Sequence, residues 1–202
     1  MTKEQELLSK YLPEAVVNDM IEIIKYHKIH LKIVNKRATK HGDYRKHPSG
    51  LHQITINSSL NKYRFLITLV HEIAHKVAIE NYGNKILPHG IEWKRTFQKL
   101  MVPFINPSVF PSETLSVVAN HFKNPTASSD TDLLLNKALK VYDTNYEEIT
   151  TVSDLVIGDF FSLPNGRIFQ KGALRVKRFE CIETATGRKY LFHPNAEINF
   201  IK

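Results

Sequence analysis

Apolar side chains recur at spacings of three and four in several parts of the chain, and each run predicts a helix with one face turned to a core. The strongest run is Leu66, Leu69, Val70, Ile73 and Val77. Asn61 suits its N-cap, and Gly83, after Tyr82, suits its stop. Leu7 to His27 reads as a second amphipathic helix, with Val16, Val17, Met20, Ile21, Ile23 and Ile24 inward and Pro13-Glu14 opening its main part. Ile91 to Met101 places Trp93, Phe97 and Leu100 on one side. Pro103, Pro107 and Pro111 then break the chain into turns, Ser112 suits the cap of a helix Glu113 to Phe122, and a Leu-rich helix follows over Leu133 to Tyr142.

Strand patterns flank these helices. His30 to Val34 alternates, and His52 to Asn57 is a second strand. Between them Thr39 to Gly50 is polar and basic and reads as an exposed loop or a long hairpin connection. From Leu155 the period changes to two. Phe160–Leu163, Arg167–Gln170, Leu174–Glu183, Arg188–Phe192 and Ile198–Ile201 are separated by Asn165-Gly166, Lys171-Gly172, Thr186-Gly187 and Pro194. The pattern predicts an α+β protein in which helices pack on a small sheet and a small antiparallel β module follows. The expected divisions are a core over 1–123, a linker with a short helix over 124–154, and the β module over 155–202. The turn-rich stretch Asn124 to Asp132 marks the start of the linker.

Charge adds a candidate partner. The net charge is +8 with a pI near 9.5. Residues 1–100 carry 17 Lys and Arg against 9 Asp and Glu, whereas residues 101–150 carry 3 against 6. A basic surface fits DNA or RNA, and equally fits plain solubility. The cations concerned are Lys36, Arg37, Lys40, Arg45 and Lys46, with Arg167, Lys171, Arg175, Lys177, Arg178, Arg188 and Lys189 in the last segment. The one cysteine, Cys181, excludes an internal disulfide and a four-cysteine zinc site. It reads as a small buried side chain. Met-Thr-Lys-Glu-Gln-Glu at the start has no apolar signal region, and no apolar run reaches membrane-spanning length. The expected setting is cytoplasmic, with no membrane partner.

The chemistry sits on the strongest helix. Leu66 to His75 contains His71-Glu72-x-x-His75. Residues four apart share one helix face, so His71 and His75 aim two imidazoles at one ion. Glu72 is turned one step aside, in reach of a water rather than the ion, which is the position of a general base. Tetrahedral zinc then needs one more protein ligand and keeps a fourth place for water. His89 lies just beyond the helix, where Gly90 permits close backbone approach, and is the preferred third ligand. Glu80 and Glu92 are carboxylate alternatives, with Glu92 equally at home in the first turn of the next helix.

Together these motifs are specific. His71-Glu-x-x-His75, a short excursion, and His89-Gly-x-Glu-Trp93 followed by Lys94, with Asn57-x-x-Leu60-Asn61 before them, resemble the SprT family, which includes the Spartan proteases of DNA–protein crosslinks. The resemblance covers roughly residues 7–122. It implies a zincin-like metalloprotease core, with His71, His75 and His89 on zinc, Glu72 as the catalytic base, and protein substrates, in many relatives DNA-associated. The four-cysteine ribbon common after that core is missing here, since only Cys181 stands in the C-terminal strands.

Peptide hydrolysis by zinc is therefore the first expectation, with the strand His52 to Asn57 as an edge on which an extended substrate binds. Tyr63 and Tyr82 are candidates to stabilise the oxyanion, and each equally serves packing. The rival is a non-catalytic nucleic-acid- or protein-binding module whose zinc site is structural or vestigial. His27, His30, His41, His47, His52, His121 and His193 fall in no second ligand spacing and are expected in surface or partly buried roles. Phe160 and Phe161 read as core. Oligomeric state and cleavage preference have no signature in the chain.

Overall fold

A computed structural model describes residues 1–144 and 150–201. It divides into two compact units, Met1–Thr144 and Asn145–Lys202, and is mixed α and β. No helix among the described residues is long and apolar enough to cross a membrane.

The first unit opens with a short helix α1 (Lys3–Leu8) and a second helix α2 (Val17–Tyr26), joined by a 3-10 turn over Glu14–Val16. The continuous amphipathic run was expected as one helix. Pro13 divides it, because proline lacks an N–H and steers the preceding residue out of the helical region. Leu12, at the bend, is fully buried.

Three strands follow: β1 (Ile29–Val34), β2 (Gly42–Lys46) and β3 (His52–Asn57). Their order is β1-β3-β2, with β1 parallel and β2 antiparallel to β3. This arrangement corrects two expectations. The stretch expected as a loop contains a strand, and His52–Asn57 is the central strand rather than an edge. β2 escapes periodicity because it is a polar edge strand, a place where charge blunts unwanted pairing. Tyr44 is its one side chain packed on the core.

Helix α3 (Lys62–Tyr82) is the spine of the unit. The Asn61 side chain accepts from the N–H groups of Tyr63 and Arg64, and Gly83, at φ 84°, ends the helix in the left-handed region. α3 packs against β2, β3 and helix α4 (Ile91–Met101), so most of its length is buried rather than one face only. Helix α5 (Ser112–His121) begins at Ser112, with Pro111 at the cap position and no side-chain cap bond.

Helix α6 (Leu133–Lys140) belongs to this core as well: Leu135 and Leu139 are fully buried within it. Asn61 donates to Leu139 O at 2.8 Å and to Asp143 at 2.6 Å. Arg64, only 6% exposed, donates to Asp130 at 2.8 Å and to Asn136 O at 2.9 Å. The stretch expected as a linker is thus fastened to the N-terminal end of α3 by buried polar side chains. Part of that stretch, 145–149, lies outside the described residues.

The second unit is a five-stranded antiparallel sheet in the order β7-β6-β5-β4-β8. Its strands are β4 (Phe160–Ser162), β5 (Ile168–Arg175), β6 (Arg178–Glu183), β7 (Lys189–Phe192) and β8 (Asn199–Ile201). Val152, Leu155, Phe161, Phe169, Cys181 and Ile198 form its core. Phe160 is 42% exposed, on the opposite face from Phe161. Lys171-Gly172, expected as a turn, lies inside β5 at a register shift. A side chain at Gly172 would collide with the Glu180 carbonyl, so this glycine serves a close strand approach. The hairpin turns instead at Val176, whose φ is 52°.

Candidate metal centre

Three imidazoles meet at one point. The Nε2 atoms of His71, His75 and His89 lie 3.1, 3.1 and 3.2 Å apart. In each ring this nitrogen is either a donor or an acceptor, so the three cannot satisfy one another. A shared cation resolves that crowding. Nitrogens held about 2.0–2.1 Å from a tetrahedral ion stand about 3.3 Å apart, close to what is found. Among the described residues this is the one group of His, Cys, Asp or Glu side chains converging in this way.

Local structure explains the convergence. His71 and His75 are one turn apart on α3. His89 arrives from the connection to α4 in a left-handed conformation, φ 60°. That is an uncommon state for a non-glycine residue and a recurrent one at functional sites. Gly90 has an ordinary φ of −68° and starts α4. Trp93, 1% exposed, is the floor. Its ring lies 4.6 Å from that of His71, 5.4 Å from His75 and 4.7 Å from His89. Its indole N–H points at the His71 carbonyl at 3.5 Å.

Burial also sets the protonation. It pushes His71 down to about 3, with His75 and His89 adding to the effect, and His75 down to about 4. His89 is lowered by burial too. All three are neutral at neutral pH, as metal ligands must be. Glu72, 7% exposed, moves the other way. Burial and the nearby Asp43 raise it to about 8, against the Tyr44 backbone N–H, Arg37 and Lys40, which pull it down.

The alternative carboxylates stand elsewhere. Glu80 pairs with Lys76 at 2.6 Å. Glu92 lies in the first turn of α4, and neither joins the converging group.

Above the centre lies a cleft of about 570 Å³. Gly42, Asp43 and Tyr44 of β2 form one wall. Gly42 sits so close to α3 that a Cβ there would meet Glu72 Oε1 and Thr68 Cγ2, each at 2.7 Å. Thr126 to Asp130 and His121 contribute further lining. His121 is 4% exposed, and its Nδ1 is 2.8 Å from Asp132 Oδ2. These side chains lack any ligand spacing to the motif. Nothing in the sequence singled out Gly42 to Tyr44 or the His121–Asp132 pair, because their contacts with the centre are tertiary.

The two tyrosines expected near the oxyanion do not line the cleft. Tyr63 packs against Phe110 and Tyr142, and Tyr82 is 54% exposed at the end of α3. Several basic residues are engaged within the fold. Arg37 donates to Asn57 and Thr55, while Lys40 and Arg45 both pair with Asp43. In the second unit Lys171 is buried, with Nζ on Leu155 O at 2.5 Å and over the Phe179 ring. Arg167 pairs with Glu183 and lies over Tyr190, and Arg175 and Lys189 both pair with Glu180. Lys177, Arg178 and Arg188 are exposed.

Among known proteins, the model of the SprT-like family matches residues 6–114, more than half of the chain. No curated protein and no solved structure matches it.

Proposed function

The chain belongs to the SprT-like family, and from that premise we propose that it is a zinc-dependent endopeptidase with a zincin-type core. The observation that carries this reading is the convergence of the three Nε2 atoms beside a buried carboxylate under an open cleft. His71, His75 and His89 hold the ion. Three imidazoles suit zinc among the divalent metals by ligand type. When bound, it supplies a Lewis acid that polarises the scissile carbonyl and makes water acidic enough to react near neutral pH.

Glu72 does the proton work. It takes a proton from the attacking water and returns it to the leaving nitrogen. A cation held by the neighbouring imidazoles would draw this carboxyl down toward the working range of a base. β2 holds the carboxylate from above, through the Tyr44 N–H and the close approach of Gly42. A structural metal needs no such group, which speaks against a binding module with an inert ion.

The substrate runs along β2, in place of the strand expected from sequence. Asn57 N–H donates to His41 O, so the ladder's alternation turns the backbone groups of Gly42 and Tyr44 away from β3. The Tyr44 N–H lies on the Glu72 side and helps draw that carboxyl down. The Tyr44 carbonyl and the Gly42 backbone remain for an extended peptide. A protein substrate is thus recognised mainly through its main chain.

The test pairs metal analysis of the purified protein with cleavage of an unfolded protein such as casein. Wild type is expected to carry one zinc and to cleave. Glu72→Gln should keep the zinc and lose cleavage by about 10²-fold or more. Equal cleavage by both proteins would falsify the reading.

A further inference from the structure

We propose that His121, oriented by Asp132, is a further catalytic residue of this centre and donates a hydrogen bond to the substrate's carbonyl oxygen as it becomes negative. The inference rests on the peptidase reading and deepens it.

A hydrolytic centre of this kind needs a donor aimed at the developing oxyanion, on a different element from the base. Of the polar side chains lining the cleft, most are already engaged. Lys40 pairs with Asp43 at 2.8 Å, His41 with Asp130 at 3.4 Å, and the Tyr44 hydroxyl with His52 Nδ1 at 2.9 Å. His121 differs from them. It is the most buried of these rings, and one of its two nitrogens is fixed by a carboxylate.

Asp132 is itself held. Its other oxygen accepts from Leu135 N–H at 3.1 Å, as the N-cap of α6. A carboxylate accepts only, so Nδ1 of His121 carries the shared proton. Donation from Nε2 requires a proton on each ring nitrogen, and that imidazolium form is part of the proposal. Among the described residues Nε2 makes no hydrogen bond. Packing sets the ring's position relative to the metal ligands through a run of aromatic contacts. Its ring lies 5.2 Å from that of Phe122, which lies 4.9 Å from Phe97, which lies 5.4 Å from His71. A carboxylate behind the imidazole and a shape-fixed front is how a ring is preorganised to stabilise charge rather than merely fill space. Asp132 is in this sense a positioning residue.

The obvious structural role, tying the chain before α6 to α5, is separated by two conservative variants. A glutamine amide reaches about where Nε2 lies, and an asparagine amide only about where Nδ1 lies. With zinc content and melting temperature equal to wild type, His121→Asn should lower kcat by about 10²-fold with little change in KM. His121→Gln should recover at least tenfold of that. A second readout does not use turnover: a peptide phosphonate, tetrahedral and anionic, should bind His121→Asn at least tenfold more weakly than wild type, while the parent peptide binds both alike. Wild-type kcat in His121→Asn, or equal phosphonate affinity, overturns the assignment. If wild type shows no Glu72-dependent cleavage, the peptidase reading falls by itself, and the phosphonate comparison still decides whether His121 meets a tetrahedral anion.

Discussion

Gly42→Ala should disable the centre without touching a metal ligand. Gly42 has no left-handed φ, so alanine suits its backbone and only space is at issue. The new methyl carbon would stand 2.7 Å from Glu72 Oε1, 2.7 Å from Thr68 Cγ2 and 2.9 Å from Glu72 Cγ. Non-bonded carbon contacts are comfortable at about 3.5 Å and beyond, so the neighbours must yield by roughly 0.5–1 Å. Thr68 and Glu72 are both buried on α3 and both face β2, so β2 and the Glu72 side chain must part. Overpacking of this kind costs about 1–3 kcal/mol of stability. Displacing a catalytic group by about 1 Å can cost 10²-fold in rate. The expected result is a kcat lower by about 10- to 100-fold at unchanged zinc content, with a lower melting temperature. The assay is steady-state cleavage of a fluorogenic protein substrate by Gly42→Ala, Glu72→Gln and the double variant. If the methyl acts through Glu72, the double variant is no slower than Glu72→Gln alone. Full activity in Gly42→Ala, or losses that multiply in the double variant, would refute the reasoning.

Three further outcomes follow from named contacts. Asn61→Ala removes the cap of α3 and the bonds to Leu139 O and Asp143; urea unfolding should show a loss of about 1–2 kcal/mol, and a loss below about 0.3 kcal/mol contradicts the anchoring role. Glu80→Gln leaves Lys76, 2% exposed, without the carboxylate 2.6 Å away; because Glu80 is half-exposed the expected cost is about 1–2 kcal/mol. Burial pushes Glu80 up, but Lys76 outweighs it and holds the carboxyl below its ordinary value. Its stabilisation is therefore complete above the ordinary carboxylate range and lost as pH falls through the depressed value. Stability measured from neutral pH to pH 3 should fall less steeply in Glu80→Gln, and an unchanged acid limb speaks against the pair. Chelation should lower the melting temperature of the zinc-loaded protein, since an ion at 100 times its Kd contributes about 2.7 kcal/mol. His75→Ala should abolish that difference, and a wild-type melting curve indifferent to chelator would count against the centre.

The elements legible in the sequence are those whose signal is local. α3 and α4 appear at the expected bounds, because capping residues and apolar spacing act within a few residues. The neighbourhood of His71, His75 and Glu72 follows from helix pitch alone. Elsewhere local pattern misled. β2 carries almost no apolar alternation and is a strand because β3 offers it a backbone ladder. Lys171-Gly172 resembles a turn and is a close strand crossing.

The amino-acid sequence by itself thus determined α3 and α4, the paired imidazoles one turn apart and the carboxylate beside them. Only the tertiary structure decided that His89 reaches the same point, that β2 rather than β3 borders the cleft, and that His121, held by Asp132, lines it. The reason is physical: helix pitch relates residues four apart whatever surrounds them, whereas bringing position 42 against 72, or 121 into a cleft with 71, depends on the packing of a core shared by distant segments.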